Sequence, residues 1–290
     1  MLQVARLAPK LLGESSALVR AFLQDQLQPD GGFPDRSGSS DLYYTVFALE
    51  SLVALQVDVP ADRVRVFLSR YAAGESLDLV HLCCLARCWA NLPLPRLGPD
   101  AIASLLSRIE GYRSEDGGYN PRPGSPHGTT YHAFLALGAY EDLGVDVPRA
   151  DELRASLQAL RVPAGGFTNE RLSGAAATSA TAAAVMVLRH LNTPPPDETA
   201  AWLLSQCHAD GGFLAAPAAP MPDLLSTATA LHALVALHEP IEPIAERCLD
   251  FIDTLWTNRG AFYGTWADED PDCEYTYYGL LALGHLSLAV

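Results

Sequence analysis

The sequence is poor in positive charge. Its 290 residues include a single lysine, Lys10, among 19 basic side chains. Acidic residues number 34, so the formal net charge at pH 7 is −15. A chain with this charge is repelled by a phosphate backbone, which excludes nucleic acid as an expected partner.

Long apolar runs and a disulfide framework are also missing. No apolar run reaches the roughly 18 residues of a membrane-spanning helix, and the first residues, MLQVARLAPKLLGESS, lack the apolar core of a signal peptide. The six cysteines, two of them adjacent at Cys83 and Cys84, do not have the spacing of a secreted disulfide scaffold. We therefore predict a soluble, cytoplasmic protein without a transmembrane segment.

The sequence does contain an internal repeat. A glycine pair followed by an aromatic residue ends at Phe33, Tyr119, Phe167, Phe213 and, in a worn form, Phe262. The spacings are 86, 48, 46 and 49 residues, and the first is close to twice the others. A degenerate unit is therefore expected near 72–76, which makes six units in a single domain of residues 1–290.

Each unit predicts two helices joined by a glycine-rich loop. The first helix is amphipathic, as at 102–109, and the second is apolar on most faces, as at 130–140 and 181–191. The glycine pair is expected to stop the first helix, because glycine adopts left-handed conformations at little cost. Helices that are apolar all round must be buried, so the second helices form an inner ring. The predicted fold class is all-α: an (α/α)6 toroid (barrel) of six helix-loop-helix repeats, with the inner N-termini at one mouth of a central cavity.

The last two units carry a family resemblance. The segments PDLLSTATALHAL (222–234) and DCEYTYYGLLAL (272–283) resemble segments of protein geranylgeranyltransferase β-subunits. Nearly the whole chain resembles the prenyltransferase/squalene-cyclase repeat, closest to bacterial relatives of protein prenyltransferase β-subunits. The resemblance implies a toroid whose apolar cavity holds a prenyl chain or a prenyl diphosphate. It also leaves open an α-subunit-like partner or a homodimer.

The resemblance implies zinc-ligand positions that this sequence does not fill. Protein prenyltransferases bind zinc through Asp, Cys and His. Asp223 occupies the Asp position, but Leu225 replaces the Cys and Tyr275 replaces the His. Because one carboxylate cannot make a zinc site, we predict no bound metal and no other cofactor. Asp223 remains a candidate catalytic residue.

A diphosphate site is a further implication of the family. Residues 122–128 resemble the diphosphate-side loop, one repeat earlier than expected, which makes Arg122 and His127 candidate substrate-binding residues at the inner-helix N-termini. Arg36 and Arg171 lie at similar places in other units and either share this role or bridge neighbouring repeats. This interpretation predicts an isoprenoid-binding, prenyltransferase-like protein that acts on a prenyl diphosphate without zinc.

The squalene-cyclase branch provides an alternative function. Its Asp-x-Asp-Asp-Thr motif, which protonates an alkene, aligns with residues 272–276, so that Glu274 takes the proton-donating place beside Asp272 and Tyr275 replaces the following acid. Five carboxylates lie in residues 268–274, and their mutual repulsion is expected to raise the pKa of one of them. Asp272, Glu274 and Tyr275 therefore join Asp223 as candidate catalytic residues.

Aromatic side chains are the candidates for the cavity wall, where they would hold a prenyl chain and stabilise a cation through their faces. They are Tyr43, Tyr44, Phe47, Tyr131, Trp266 and Tyr278. A toroid that has lost its chemistry would instead serve as a binding or scaffold protein, and this third possibility stays open. The polar residues collected at 122–128 and 268–276 favour an enzyme.

Overall fold

The computed structural model describes residues 1–93 and 97–290. These residues form fourteen α-helices, one 3-10 helix and two short antiparallel strand pairs. The chain starts with α1 (Leu2–Ala5), α2 (Pro9–Leu12) and the 3-10 helix Gly13–Ser15. The remaining twelve α-helices of the described residues alternate between an outer and an inner position.

The helix bounds follow the repeat. The outer helices are α3 (Ser16–Gln26), α5 (Ala61–Ser69), α7 (Pro99–Glu110), α9 (Ala150–Gln158), α11 (Thr199–Ser205) and α13 (Glu242–Thr254). The inner helices are α4 (Leu42–Ala54), α6 (Leu79–Ala90), α8 (Thr130–Asp142), α10 (Thr178–His190), α12 (Leu224–Ala236) and α14 (Cys273–Leu286). The strand pairs precede α4 and α12, and they are β1 (Phe33–Pro34) with β2 (Ser40–Asp41) and β3 (Phe213–Leu214) with β4 (Pro222–Asp223).

Packing between neighbouring inner helices closes the ring. Each inner helix contacts the next one along the chain, and α14 contacts α4. Burial separates the two rings: every residue of 276–286 in α14 is buried, whereas α5 buries only Val64, Phe67 and Leu68. The helical spacing of those three residues gives α5 a single apolar face, as an outer helix requires. The predicted (α/α)6 toroid is confirmed, including the degenerate unit, which contributes α5 and α6.

The glycine loops are fastened to the inner helices by threonine hydroxyls. The backbone N–H of Phe33 donates to Thr45, that of Phe167 to Thr181 and that of Phe213 to Thr227, at 2.9–3.0 Å. Each threonine lies in the first turn of an inner helix. These buried hydrogen bonds satisfy the loop backbone and fix each loop beside an inner-helix N-terminus.

The glycine pairs join neighbouring units. Helix α3 already ends at Gln26, so the pair that begins at Gly31 does not stop it, contrary to the sequence-based expectation. Gly211 has a φ of +87°, and a Cβ there would overlap the carbonyl oxygen of Arg247 in the next outer helix, α13. Glycines 31, 117, 165 and 260 also approach the next outer helix or its N-cap, at Arg63, Glu152, Glu198 and Leu18 respectively. Because Gly260 of the last unit meets Leu18 of α3, these contacts also close the outer ring.

No helix in the described part of the chain is long and apolar enough to span a membrane.

Candidate functional site

Aspartates cap four of the inner helices at one mouth of the ring. Asp41, Asp78, Asp223 and Asp272 are the N-cap residues of α4, α6, α12 and α14, and each accepts hydrogen bonds from backbone N–H groups of the first turn. Thr129 caps α8 in the same way. These side chains satisfy N–H groups that have no partner within the helix, so each has a structural role at the mouth.

An arginine joins the first unit to the last at this mouth. The Nε of Arg36 donates to Asp272 at 2.9 Å, and its Nη1 lies 3.5 Å from Asp268. The guanidinium also lies over the Tyr275 ring, 5.6 Å from its centroid. Arg36 therefore bridges neighbouring repeats, which is one of the two roles that the sequence left open.

A histidine joins the first two units in a similar way. Nδ1 of His81 lies 2.8 Å from Asp78, and Nε2 lies 3.2 Å from Asp41. Hydrogen bonding to Asp41 is the main cause that raises the pKa of His81 to about 9, and Asp78 adds to it. The ring is therefore an imidazolium at neutral pH, and it offsets two of the capping carboxylates.

We expect the free energy of unfolding to decrease at alkaline pH because His81 loses its proton. A pKa that is higher in the folded than in the unfolded protein contributes stability that is complete below about 6.5 and is lost as the pH rises through 9. Because the side chain is one-third exposed, solvent screening reduces the loss to about 1–2 kcal/mol. Urea unfolding of the wild type and of His81→Gln between pH 6.5 and 10 measures it. An equal pH dependence in both proteins would contradict this assignment.

Glu274 lies in the first turn of α14 and contacts α4. Its Oε1 accepts a hydrogen bond from the Tyr43 hydroxyl at 2.6 Å. Burial raises the pKa of Glu274 to about 7, opposed by the Tyr43 hydrogen bond and reinforced by the charge of Asp272. Near neutral pH a large fraction of Glu274 is therefore a neutral carboxylic acid. Since Tyr43 donates to Oε1, Oε2 is the oxygen left free to carry a transferable proton.

Below this mouth the inner ring encloses a cavity of about 440 Å³. Aromatic side chains form much of its wall, namely Tyr43, Tyr131, Phe134 and Tyr278. On the opposite side the wall consists of alanines of α10, whose small side chains leave space in the cavity. Phe47 extends the wall into an adjoining narrow space, with ring centroids 4.9 Å from Tyr43 and 5.4 Å from Tyr278. Glu274 precedes Tyr278 by one turn on the same face of α14. It does not line this cavity itself, but its hydrogen-bond partner Tyr43 does.

A second opening lies at the other end of the inner helices. It has a volume of about 610 Å³, and its lining combines apolar residues with charged ones, among them Glu50, Arg87, Glu141, Asp142 and Arg189. Sequence reasoning missed Glu50 and Arg87. The available signal was a charged residue inside a helix that is otherwise almost entirely apolar, because such a charge must find a partner or a ligand.

The structure brings most of the predicted site residues to the mouth and the wall. Asp272, Glu274 and Tyr275 lie together at the start of α14, while Tyr43, Phe47, Tyr131 and Tyr278 line the cavity space. Tyr44 contacts the Tyr43 ring at 5.7 Å but is not part of the wall. Burial raises the pKa of the Asp223 carboxyl group. Its two oxygens accept hydrogen bonds from the backbone N–H and the hydroxyl of Ser226, both at 2.7 Å. Asp223 lies away from Glu274.

Besides Tyr44, three predicted substrate-binding residues lie outside the cavity. Trp266 is 47% exposed, its indole N–H donates to Thr254 at 2.8 Å, and its ring packs on α13, because its loop turns toward the outer ring. Arg122 is exposed at its loop. His127 lies 3.5 Å from Asp116 and 3.2 Å from Arg171, so its ring binds a neighbouring unit.

The positions that hold zinc in the family have other roles in the structure. Asp223 caps α12, Leu225 lines the cavity, and Tyr275 lies under Arg36. In residues 1–93 and 97–290, no group of three or more His, Cys, Asp and Glu side chains is placed to hold a metal ion. The lack of a zinc cofactor remains a prediction for elemental analysis.

The chain is similar to several solved structures. A variant of the type II terpene cyclase MstE from Scytonema, in complex with geranylgeranyl dihydroxybenzoate, has a TM-score of 0.64 at 11% identity, covering 97% of this chain and 98% of that one. A protein from Actinoplanes has a TM-score of 0.67 at 17% identity, covering 95% and 98%. Candida albicans protein geranylgeranyltransferase-I, complexed with GGPP, has a TM-score of 0.52 at 17% identity, covering 99% and 81%.

Sequence identities this low establish a shared fold, so the activity has to be inferred from the site itself. No curated protein sequence matches the chain. The family model described as the prenyltransferase alpha-alpha toroid domain, by contrast, matches residues 10–81, 79–194 and 179–288. With six units closed into a double ring and a match that runs through nearly all of them, the chain belongs to the prenyltransferase α-α toroid family.

Proposed function

We propose that this protein binds a prenyl chain in its central cavity and cyclises it by protonating an alkene, with Glu274 as the acid. The observation that supports it is a carboxyl group with a pKa near 7 that is hydrogen-bonded to Tyr43, a residue of the aromatic wall. The terpene cyclase among the similar structures binds a geranylgeranyl compound, which supports a prenyl ligand for this cavity.

The proposed step is balanced without a cofactor. Glu274 transfers the Oε2 proton to an alkene carbon, a C–H bond forms, and a tertiary cation remains. The π electrons of the next alkene attack this cation and close a ring. The Glu274 carboxylate, directly or through a water molecule, takes a proton from a carbon beside the final cation. This re-forms an alkene and restores the acid, so the product is an isomer of the substrate. Aromatic faces at Tyr43, Phe47 and Tyr278 would stabilise the cation, since their quadrupoles attract positive charge.

The mouth is poorly suited to a diphosphate. Four of its helix caps are carboxylates, and Arg36 and His81 are already paired with them. Arg122 and His127 lie in the loop of residues 122–128, away from the wall. A diphosphate there would face like charges, which is unfavourable. We therefore place proton transfer ahead of diphosphate recognition as the chemistry of this site.

The proposal predicts a particular pH profile. Turnover requires the protonated acid, so it should be highest below pH 7 and fall as the pH rises through the Glu274 pKa. Tyr43→Phe removes a hydrogen bond that favours the carboxylate, so the Glu274 pKa should rise and the falling limb should move to higher pH by roughly one unit. Mass spectrometry of the products from geranylgeraniol, across pH 5 to 9, measures both curves.

Two results would contradict this function. One is release of diphosphate from geranylgeranyl diphosphate with no isomer from the alcohol, which would support transfer chemistry. The other is tight binding of every prenyl compound without turnover at any pH, which would support a binding or scaffold role.

A further inference from the structure

The inner helices repeat their inward-facing positions as well as their caps. Two residues after the cap, a mouth layer contains Tyr43, Tyr131, Ser179, Leu225 and Glu274. Nine residues after the cap, a floor layer contains Glu50, Arg87, Gly138, Met186 and His232, all of which line cavity space. Seven residues of helix separate the layers by about 10 Å along the axis.

The space between the two layers is apolar. Phe47, Cys84, Phe134, Ala183 and Tyr278 line it. Thr229 is the polar exception, but its hydroxyl donates to the Leu225 carbonyl at 2.7 Å and is satisfied within its own helix. The space inside the inner ring therefore has a hydrocarbon-like middle, with Tyr43 and its partner Glu274 at the mouth and polar groups at the floor. Met1 lines this space as well.

The floor layer holds polar groups that the protein leaves unsatisfied. Glu50 is only 7% exposed, makes no hydrogen bond in the described structure, and has its nearest cation, Nε of Arg87, at 3.6 Å. That Nε donates to Asp142, while the two Nη groups of Arg87 donate to no described residue. The buried Tyr277 hydroxyl beside Glu50 also lacks a hydrogen-bond partner. The Tyr277 hydroxyl is buried, whereas Glu50 and Arg87 line the opening at this end, where a ligand can reach them.

Shape and charge restrict what this floor can bind. At Gly138 a Cβ would lie 3.1 Å from Nη2 of Arg87, so the missing side chain leaves room beside the guanidinium. Glu50, Glu141 and Asp142 lie at this end of the ring. Arg87, Arg189 and the N-terminal amino group of Met1 oppose them, so the charges balance and give an anion no net attraction. A neutral group that donates one hydrogen bond and accepts another matches both Glu50 and Arg87.

We infer that the floor layer is a head-group site for a neutral, hydroxyl-bearing prenyl compound. The hydroxyl donates to Glu50, its oxygen accepts from an Nη of Arg87, and the hydrocarbon chain extends to Glu274. This inference rests on the proposed function only in taking the ligand to be a prenyl chain. It goes further in naming the class of head group and the direction in which the chain lies.

Equilibrium binding tests this site independently of turnover. Geranylgeraniol, the hydrocarbon that lacks its hydroxyl, and geranylgeranyl diphosphate would each compete with a fluorescent farnesyl analogue. We expect the wild type to prefer the alcohol to the hydrocarbon by about tenfold, and to prefer it to the diphosphate as well. Glu50→Leu should remove the preference over the hydrocarbon, because it removes the acceptor while leaving the Arg87–Asp142 pair intact.

Two further variants separate hydrogen bonding from packing. Glu50→Gln keeps an acceptor of the same shape and should retain part of the preference. Thr229→Val changes a cavity hydroxyl that is already satisfied, so it should retain all of it. If Glu50→Leu does not fold, comparison of Glu50→Gln with the wild type still measures the effect.

The outcomes distinguish this inference from the proposed function. Equal binding of alcohol and hydrocarbon by the wild type, or an unchanged preference in Glu50→Leu, would overturn the head-group site. So would tighter binding of the diphosphate than of the alcohol. A preference that depends on Glu50, in a protein that never turns the alcohol over, would support the site and contradict the cyclase.

Discussion

Glu274→Gln is expected to abolish cyclisation of a prenyl substrate, lowering turnover by at least about a hundredfold. The amide keeps the shape of the side chain, and its oxygen still accepts the hydrogen bond that Tyr43 donates to Oε1 at 2.6 Å in the wild type. It has no proton acidic enough to transfer to carbon. Binding of the prenyl chain should therefore change by no more than about twofold, because the cavity wall is unaltered.

A neighbouring carboxylate provides the matched control. Glu269 is exposed in the same acidic loop, so Glu269→Gln makes the same substitution there without altering the aromatic wall. Product formation and prenyl affinity would be measured for both variants at pH 6. Substantial turnover by Glu274→Gln, or an equal loss in Glu269→Gln, would show that the acid is elsewhere.

Gly211→Ala is expected to destabilise the fold by about 3 kcal/mol or more. The φ of Gly211 is +87°, which costs an alanine about 1–2 kcal/mol. In addition, the new Cβ would overlap the carbonyl oxygen of Arg247, and the backbone of α13 would have to move. Overpacking of this kind typically costs about 1–3 kcal/mol further. Chemical unfolding monitored by circular dichroism measures the sum.

Gly38 separates the two contributions. Its φ of +88° is nearly the same, but a Cβ there would have no heavy atom within 4 Å. Gly38→Ala should therefore lose only the conformational part, about 1–2 kcal/mol. If the two substitutions destabilise equally, the glycine loops do not form the contacts between units that the structure shows.

The sequence predicts the fold well because the same two-helix pattern occurs in six units. The glycine–aromatic spacing, and helices that are apolar on most faces, require a buried inner ring whatever the details of each loop. The role of the glycine pair was harder to predict. The repeated glycine pair indicates that Gly211 adopts a left-handed φ. It does not indicate that Arg247, in a different part of the chain, approaches Gly211 closely.

The site is only partly predictable for a similar reason. Tyr43 and Tyr278 lie on inner helices, which other parts of the protein surround, so the helix pattern indicates that they are buried near the central cavity. Trp266 lies in a loop, and no periodicity indicates that its ring covers α13 instead. Glu50 and Arg87 escaped notice because their pairing joins two separate helices, α4 and α6. The distances between residues of different units depend on how the ring closes, and a sequence pattern within one unit does not contain that information.

The parallel course of the six inner helices has an electrostatic consequence for the proposed reaction. Their peptide dipoles point the same way, so each helix adds about half a negative charge to the floor end and half a positive charge to the mouth end. The capping aspartates offset this charge at the mouth. A cation formed in the cavity would therefore lie between two negative ends, the carboxylates of the mouth and the helix C-termini of the floor, and Arg87 would offset part of the second.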